Sequence, residues 1–312
     1  MHIPSLNYAQ SLEDGKTAGT KILDAFRNPG FLFVENIPSY DSAQLLKWTR
    51  WFFTDLSKEE REKLQPNPYR GYMPAQSGKS SYKEIFEIGA FENPHNHPKE
   101  VNLERPLEDT NLWPENCDDF KEFCASFHKQ MSSVGANLLK WLNGSVAKDH
   151  DWVDLFQPNS LSTLRFIYYP QRPEDDALLL SSKDGQRPLH CSEHSDGGFI
   201  TLLSTFHYSG LQIKTDEDKW EDVELEGREG LVVNIGEMMV RLCAANGETK
   251  VKATKHRVAD LGTDRFSVPF FFEPKWSAAF DGKPYGELVL DHMKAFVEYD
   301  KLHQVIAARD SK

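Results

Sequence analysis

From about residue 160 onward, short runs of β-forming residues alternate with turns, and no other feature restricts the fold so much. The runs are "LRFIYYP", "GFITLLSTF", "GLQIKT", "LVVNIG", "VKATKHRVAD" and "DRFSVPFFF", rich in Thr, Ile, Val, Tyr and Phe. Their length and spacing predict an antiparallel sandwich or barrel.

The preceding half reads differently. Ala18, Ile22, Ala25 and Phe26 recur at helical spacing until "NPG" stops them, and "FLFVENIP" reads as a strand. Leu45, Trp48, Phe52 and Leu56 form a second helical stripe, and "SKEE" from Ser57 is a capping-box signature. A long helix is predicted over 116–142, from Phe120 through Met131 to Leu142, with Asn143-Gly144 as its stop. The Pro- and Glu-containing stretch 91–110 predicts a surface loop. Without repeats or evident linkers, the chain reads as a helical first half bracing a β-core.

Composition excludes some partners. A formal net charge of −12 argues against nucleic acid and against an anionic membrane surface, both of which favour basic proteins. No apolar run approaches the roughly 20 residues that span a bilayer, and the start shows no secretory signal. The four cysteines form no CxxC pair, so reduced thiols and a cytoplasmic location are expected.

The chemistry concentrates in "HCSEHSDGGFITLL". His194 and Asp196 are two positions apart, so on a strand both point to one face and can grip one ion. His256, in "KATKHRVAD", supplies a third ligand type. Two His and one carboxylate match the facial triad that leaves open positions on ferrous iron. Arg265 and Ser267 form another i, i+2 pair, and a guanidinium beside a hydroxyl in an apolar wall is a good carboxylate receptor. Tyr169 adds a hydroxyl. Each feature alone is commonplace; their combination in a β-rich half favours a metal site. "HNH" at His95–His97 lies in a Pro-rich loop without a third ligand and reads as structural, while His190 and His207 fit no ligand slot. Glu237, after "NIG", suits a supporting role or a simple strand-end turn.

These motifs, in this order, resemble the iron- and 2-oxoglutarate-dependent dioxygenases of the isopenicillin N synthase-like family. "GFLFVENIP", "RGYMP", "KEIFEIG", "NLWP", "HSDGGFITLL", "VVNIGEMM", "HRVAD" and "DRFSVPFFFEP" all fall where that family has similar phrases. The resemblance implies a mainly β fold with α, a double-stranded β-helix (jelly roll) core braced by N- and C-terminal helices. It divides the chain into 1–150, a helical and mixed region packing on the core; 151–280, the catalytic core; and 281–312, a C-terminal helix, all as one unit. It implies His194, Asp196 and His256 as iron ligands, and Arg265, Ser267 and Tyr169 as receptors for 2-oxoglutarate. Fe(II) is the implied cofactor, with 2-oxoglutarate and O2 as cosubstrates. The implied reaction is hydrogen abstraction from an unactivated C–H bond, giving hydroxylation, desaturation or cyclisation with release of succinate and CO2.

Two departures stand out. Ile167 replaces an Asn common in relatives, and the segment between "NIGEMM" and "HRV" is longer than in plant members, predicting a lengthened hairpin. Arg70, Arg241 and Phe271 are candidate pocket walls, and an arginine-lined pocket suits a small anionic substrate such as an amino acid or natural-product precursor. A monomer is the default expectation. The rival within the fold is an iron oxidase that needs no 2-oxoglutarate. A non-catalytic binding module is disfavoured by the complete ligand set, and a zinc hydrolase by the lack of an HExxH-like base.

Overall fold

The computed structural model describes residues 1–65, 70–76, 81–90, 105–147, 151–157, 159–181, 188–280 and 282–293, with Gln304 and Ala307. His95–His97 and most of the 91–110 stretch lie outside the described residues; 106–108 form a short 3-10 helix whose Leu107 is buried.

Twelve strands build two facing sheets. The first six in chain order are β1 (Ser5–Asn7), β2 (Phe31–Glu35), β3 (Gly71–Met73), β4 (Glu84–Gly89), β5 (Thr163–Tyr169) and β6 (Leu189–His194). The rest are β7 (Ile200–Ser204), β8 (Leu211–Lys214), β9 (Trp220–Asp222), β10 (Leu231–Ile235), β11 (His256–Ala259) and β12 (Arg265–Phe272). The major sheet runs β1-β2-β10-β7-β12-β5-β4-β3 and the minor sheet β6-β11-β8-β9, antiparallel except for β1–β2. A two-stranded ribbon, β13 (Ala279–Phe280) with β14 (Lys283–Pro284), follows. The helices are α1 (Tyr8–Ser11), α2 (Gly15–Arg27), α3 (Ser42–Arg50), α4 (Lys58–Lys63), α5 (Asp118–Val146), α6 (Ala177–Ser181), α7 (Glu237–Ala245) and α8 (Tyr285–Met293). This is the double-stranded β-helix, and its first half contributes four strands, not helices alone.

Parity along β12 sorts the core. Phe270 and Phe272 are buried on the helical side, where Phe272 stacks on Phe156 at 4.7 Å and its ring presses on Gly135 of α5. Arg265, Ser267 and Phe271 alternate with them and so face the minor sheet. The larger apolar core therefore fills the space between helices and major sheet, while a smaller one, including Phe31, Phe33, Ile213 and Val232, lies between the sheets.

Several expected boundaries change. The capping box forms as read, with Ser57 and Glu60 reciprocally bonded. α5 passes through Asn143-Gly144 to Val146, because the Asn143 side chain donates to the Ala147 carbonyl and accepts from the Trp152 N–H. The expected hairpin after "NIGEMM" is instead α7 and an extended segment: Met239 and Cys243, one turn apart, bury one helical face, and Lys252 N–H then bonds Phe26 O. The helical stripe after α3 widens into a π-helical turn over Trp51–Asp55. Among the described residues no helix is long and apolar enough to cross a membrane.

Candidate active site

β6 ends at His194, and β11 begins at His256, its partner in register. The two imidazoles are thus neighbours on the minor sheet, with ring centroids 4.3 Å apart. Asp196 lies in the turn between β6 and β7. Each His Nε2 is 3.8 Å from Asp196 Oδ1, and the three ligating atoms lie within 4.8 Å of one another. Two ligands each bound at about 2.0–2.2 Å to one ion stand at most about 4.4 Å apart, so the two nitrogen-to-carboxylate separations fit a shared metal.

Supporting contacts fix which atoms face inward. His194 Nδ1 lies 2.8 Å from Ser192 O, and His256 Nδ1 lies 3.2 Å from Thr254 O. A carbonyl only accepts, so both Nδ1 atoms carry the proton and both Nε2 lone pairs are left for a ligand. Asp196 Oδ2 accepts from Thr201 Oγ1 at 2.6 Å and Asn234 Nδ2 at 2.7 Å, which aims Oδ1 at the imidazoles. Burial by itself would raise the Asp196 pKa; the two imidazoles and these hydrogen bonds outweigh it and hold the carboxyl below its usual range. Burial lowers the His256 pKa, favouring the neutral, ligating form. At His194 burial acts in the same sense, but the Cys191 thiol and Asp196 overcome it and raise the pKa, so metal binding there releases a proton.

The loop beyond Asp196 is pressed from two sides, which explains "GG". A Cβ on Gly197 would stand 2.6 Å from His292 Nε2, and one on Gly198 would meet Glu273 Oε1 at 2.0 Å. α7 closes the same turn: Glu237 N–H donates to Asp196 O at 2.8 Å, and Ser195 Oγ donates to Glu237 Oε1 at 2.7 Å. The supporting role weighed for Glu237 thus has a partner.

Arg265 pairs with Tyr169 across β12–β5, and Ser267 with Ile167. All four are buried, and the Arg265 guanidinium lies 5.0 Å from the Tyr169 ring centre. Its Nε donates to Ser209 O at 3.2 Å, yet Nη1 is buried with no hydrogen-bond partner among the described residues. A buried, unanswered guanidinium N–H is costly and suits an anionic oxygen. A cavity of about 290 Å³, lined by residues including His190, Tyr208, Ser209 and Thr263, reaches Arg265. His190 itself is packed against Asp260 at 3.2 Å and the Tyr169 ring at 5.3 Å.

The candidate pocket walls fare unequally. Phe271 faces the same space as Ser267, half-buried. Arg70 does not line the pocket as a free wall: it is 2% exposed and holds Glu87, Thr163 Oγ1 and Leu107 O. Arg241 stands exposed on α7 and makes no hydrogen bond or ion pair with the described residues. Sequence reasoning passed over Thr201 and Asn234. Asn234 carried a signal, a polar residue at an inward position of the apolar run "LVVNIG".

Residues 160–274 match the family model described as the 2OG-Fe(II) oxygenase superfamily, and residues 3–116 that described as non-haem dioxygenase in morphine synthesis N-terminal. The chain belongs to the 2OG-Fe(II) oxygenase superfamily. It is therefore an oxidoreductase of the kind that uses Fe(II) and 2-oxoglutarate, for which small-molecule substrates are typical. Isopenicillin N synthase of Streptomyces griseus is 27% identical over 289 residues, 86% of this chain and 84% of that protein. A 2-oxoglutarate-dependent dioxygenase of Aspergillus rugulosus is 26% identical over 287 residues, 83% of each chain. A Neurospora crassa protein, solved at full length with alpha-KG and 5-formyluracil, shares the fold of this oxygenase, with a TM-score of 0.76, 23% identity, and coverage of 94% of this chain and 96% of that one.

Proposed function

We infer that this oxygenase uses Fe(II), 2-oxoglutarate and O2 to oxidise an unactivated C–H bond of a small, anionic molecule such as an amino acid or natural-product precursor. The outcome is hydroxylation, desaturation or ring closure, with release of succinate and CO2. The observation that carries this reading is the convergence of His194 Nε2, His256 Nε2 and Asp196 Oδ1 on one point. These three residues would hold the iron, leaving further coordination positions for cosubstrate and O2. When bound, the metal supplies the oxidising chemistry that no side chain can.

The protein's share is binding and orientation. Ser192 O and Thr254 O lock both ring tautomers, and Thr201 and Asn234 lock the carboxylate. Arg265, with Ser267 and Tyr169 beside it, would receive the far carboxylate of 2-oxoglutarate, giving the buried Nη1 its partner. The Phe31 ring, edge-on to His256 at 5.5 Å, keeps that side of the site apolar. The chain is read as acting as a monomer.

The test is anaerobic addition of Fe(II) and then 2-oxoglutarate, watching for the visible charge-transfer band of the chelate. A saturating band supports the reading. Iron binding without a band favours an oxidase that dispenses with 2-oxoglutarate. His194→Ala abolishes iron retention; a variant with normal iron content refutes the triad.

A further inference from the structure

A lysine beside the candidate metal centre lacks the partner that such a group ordinarily has. Lys83 stands one residue before β4. Glu84 pairs with Tyr168 and Ile85 with Ile167, so the same register, carried one residue further, sets Lys83 beside Tyr169. Tyr169 in turn pairs with Arg265 on β12. Lys83, Tyr169 and Arg265 therefore form one row across the sheet, on the face that looks toward the minor sheet. Neighbouring strands lie about 4.8 Å apart, which sets the two outer backbones about 10 Å apart, a gap that two long side chains can close from opposite sides on one group.

Distances tie this lysine to the triad. Its Nζ lies 3.9 Å from Cys191 Sγ on β6, so the side chain crosses from one sheet to the other. Cys191 Sγ in turn lies 3.9 Å from His194 Nδ1, so the ammonium is no farther from that imidazole than the two distances together. The same thiol is close enough to Arg265 for its charge to be felt there. Lys83 is half-buried, and an ammonium carries three donors, for which a thiol sulfur is a weak acceptor. Among the described residues no carboxylate stands within ion-pair distance of it. The exposed Lys219 and Lys255 each have one. The neighbouring acid is turned away: Glu84 accepts from the Tyr72 hydroxyl and lies 3.7 Å from Arg61 Nε. A lysine that served structure alone would answer that acid. This one is held inward with too few acceptors, which suits an anionic oxygen. The next row across these strands, Ile85, Ile167 and Ser267, offers only one hydroxyl.

We propose that Lys83 is a second cationic receptor for 2-oxoglutarate, taking its far carboxylate from the side opposite Arg265 and leaving the Cys191 thiol as it does so. The assignment rests on the iron and 2-oxoglutarate reading above. Arg265 supplies a rigid fork and Lys83 a mobile point charge, so the two hold one carboxylate without competing for the same geometry. The pair of cations makes the site select 2-oxo diacids over 2-oxo monoacids of the same length.

The experiment is anaerobic titration of the iron-loaded protein, without substrate, following the charge-transfer band. The probes are 2-oxoglutarate and 2-oxopentanoate, which has the same carbon chain but no far carboxylate. Lys83→Met keeps an apolar stem and removes the charge. Its affinity for 2-oxoglutarate should fall by about tenfold or more, as expected for a hydrogen bond between charged groups, while its affinity for 2-oxopentanoate stays that of wild type. Where the monoacid does not saturate, the initial slope of the band against its concentration gives the comparison. Lys83→Arg should retain part of the affinity for 2-oxoglutarate. Fe(II) affinity, read by competition with a chelator, should be unchanged, because Lys83 touches none of the three ligands. Thermal melts check folding, and Lys83→Gln carries the test if Lys83→Met does not fold. Unchanged 2-oxoglutarate affinity overturns the proposal and leaves the lysine to a carboxylate of the substrate. Equal losses for both acids also overturn it, since they place Lys83 at the keto acid end or make its role structural. If wild type holds iron and gives no band with 2-oxoglutarate, the oxygenase reading itself has failed; a normal wild-type band that Lys83→Met leaves intact defeats Lys83 alone.

Discussion

Thr201→Val removes one hydroxyl that holds Asp196 from the side away from the imidazoles. Its Oγ1 donates to Asp196 Oδ2 at 2.6 Å, and Asn234 Nδ2 donates to the same oxygen at 2.7 Å. Valine has nearly the shape of threonine, so the substitution opens no cavity. A hydrogen bond to a charged acceptor contributes about 1.5–3 kcal/mol. Removing such an outer contact typically costs about 10–100-fold in metal affinity. At about 1.4 kcal/mol per tenfold the two scales agree, and Fe(II) affinity should fall by that factor. Loss of a donor also raises the depressed pKa of Asp196. A carboxyl with a lowered pKa favours its bound, ionised state at higher pH and loses it as pH falls, so the acid limb of iron binding should move to higher pH in the variant. The assay is anaerobic competition for Fe(II) against a chromogenic chelator, from pH 5 to 8. The 2-oxoglutarate affinity at saturating iron should stay unchanged. Pairing the change with Asn234→Ala should give a non-additive loss, since both donors serve one oxygen. Iron affinity within about twofold of wild type would refute the orienting role.

Arg265→Ala should weaken 2-oxoglutarate binding while sparing iron, measured by the charge-transfer titration; an unchanged cosubstrate affinity points to another clamp. Burial pushes the Glu273 carboxyl up to about 8, against hydrogen bonds from Tyr285 and Phe199 that lower it. Its folded form holds a proton that the unfolded chain releases near pH 4.3, so its contribution to stability declines as pH rises from there to about 8, by at most about 1.4 kcal/mol per unit. Glu273→Gln should therefore gain on wild type between pH 5 and 8 in metal-free chemical denaturation; parallel pH profiles would disprove it. Gly135→Ala improves helix propensity by about 1 kcal/mol. Its Cβ, however, would stand 2.6 Å from the Phe272 ring, which is pinned by Phe156, and overpacking costs about 1–3 kcal/mol. The net effect should be destabilising in urea melts, and Phe272→Leu in the same chain should relieve it.

The β-half was legible because its strands are short, rich in β-branched and aromatic residues, and bounded by turns. β4 escaped for the opposite reason. "EIFEIG" is buried on both faces, so no period of two shows, and its Glu87 is buried by partners at Arg70 and Arg165. A charged residue whose partners are distant in sequence reads as a surface residue. Over α7 the hairpin expectation follows from the segment's length relative to similar chains, whereas the buried Met239 and Cys243 lie at helical spacing. In the site, spacing alone disclosed the i, i+2 pairs, His194 with Asp196 and Arg265 with Ser267. The groups that hold them, Thr201 and Asn234, sit on other strands, and only the register of β7 with β10 brings them together.

The place of β2 has a bearing on synthesis. "FLFVE" is an interior strand of the major sheet, held on one edge by β1 and on the other by β10. Its antiparallel partner begins at Leu231, so the chain emits an apolar strand and must make about 200 further residues before that edge can pair. At a synthesis rate of about 5–20 residues per second, the wait is about 10–40 s. During it, four consecutive residues destined for burial, Phe31 to Val34, present an open edge to any neighbouring chain. The nascent oxygenase is thus most prone to association before its last metal ligand, His256, exists, and growth temperature or holdase chaperones should govern its soluble yield more strongly than iron supply does.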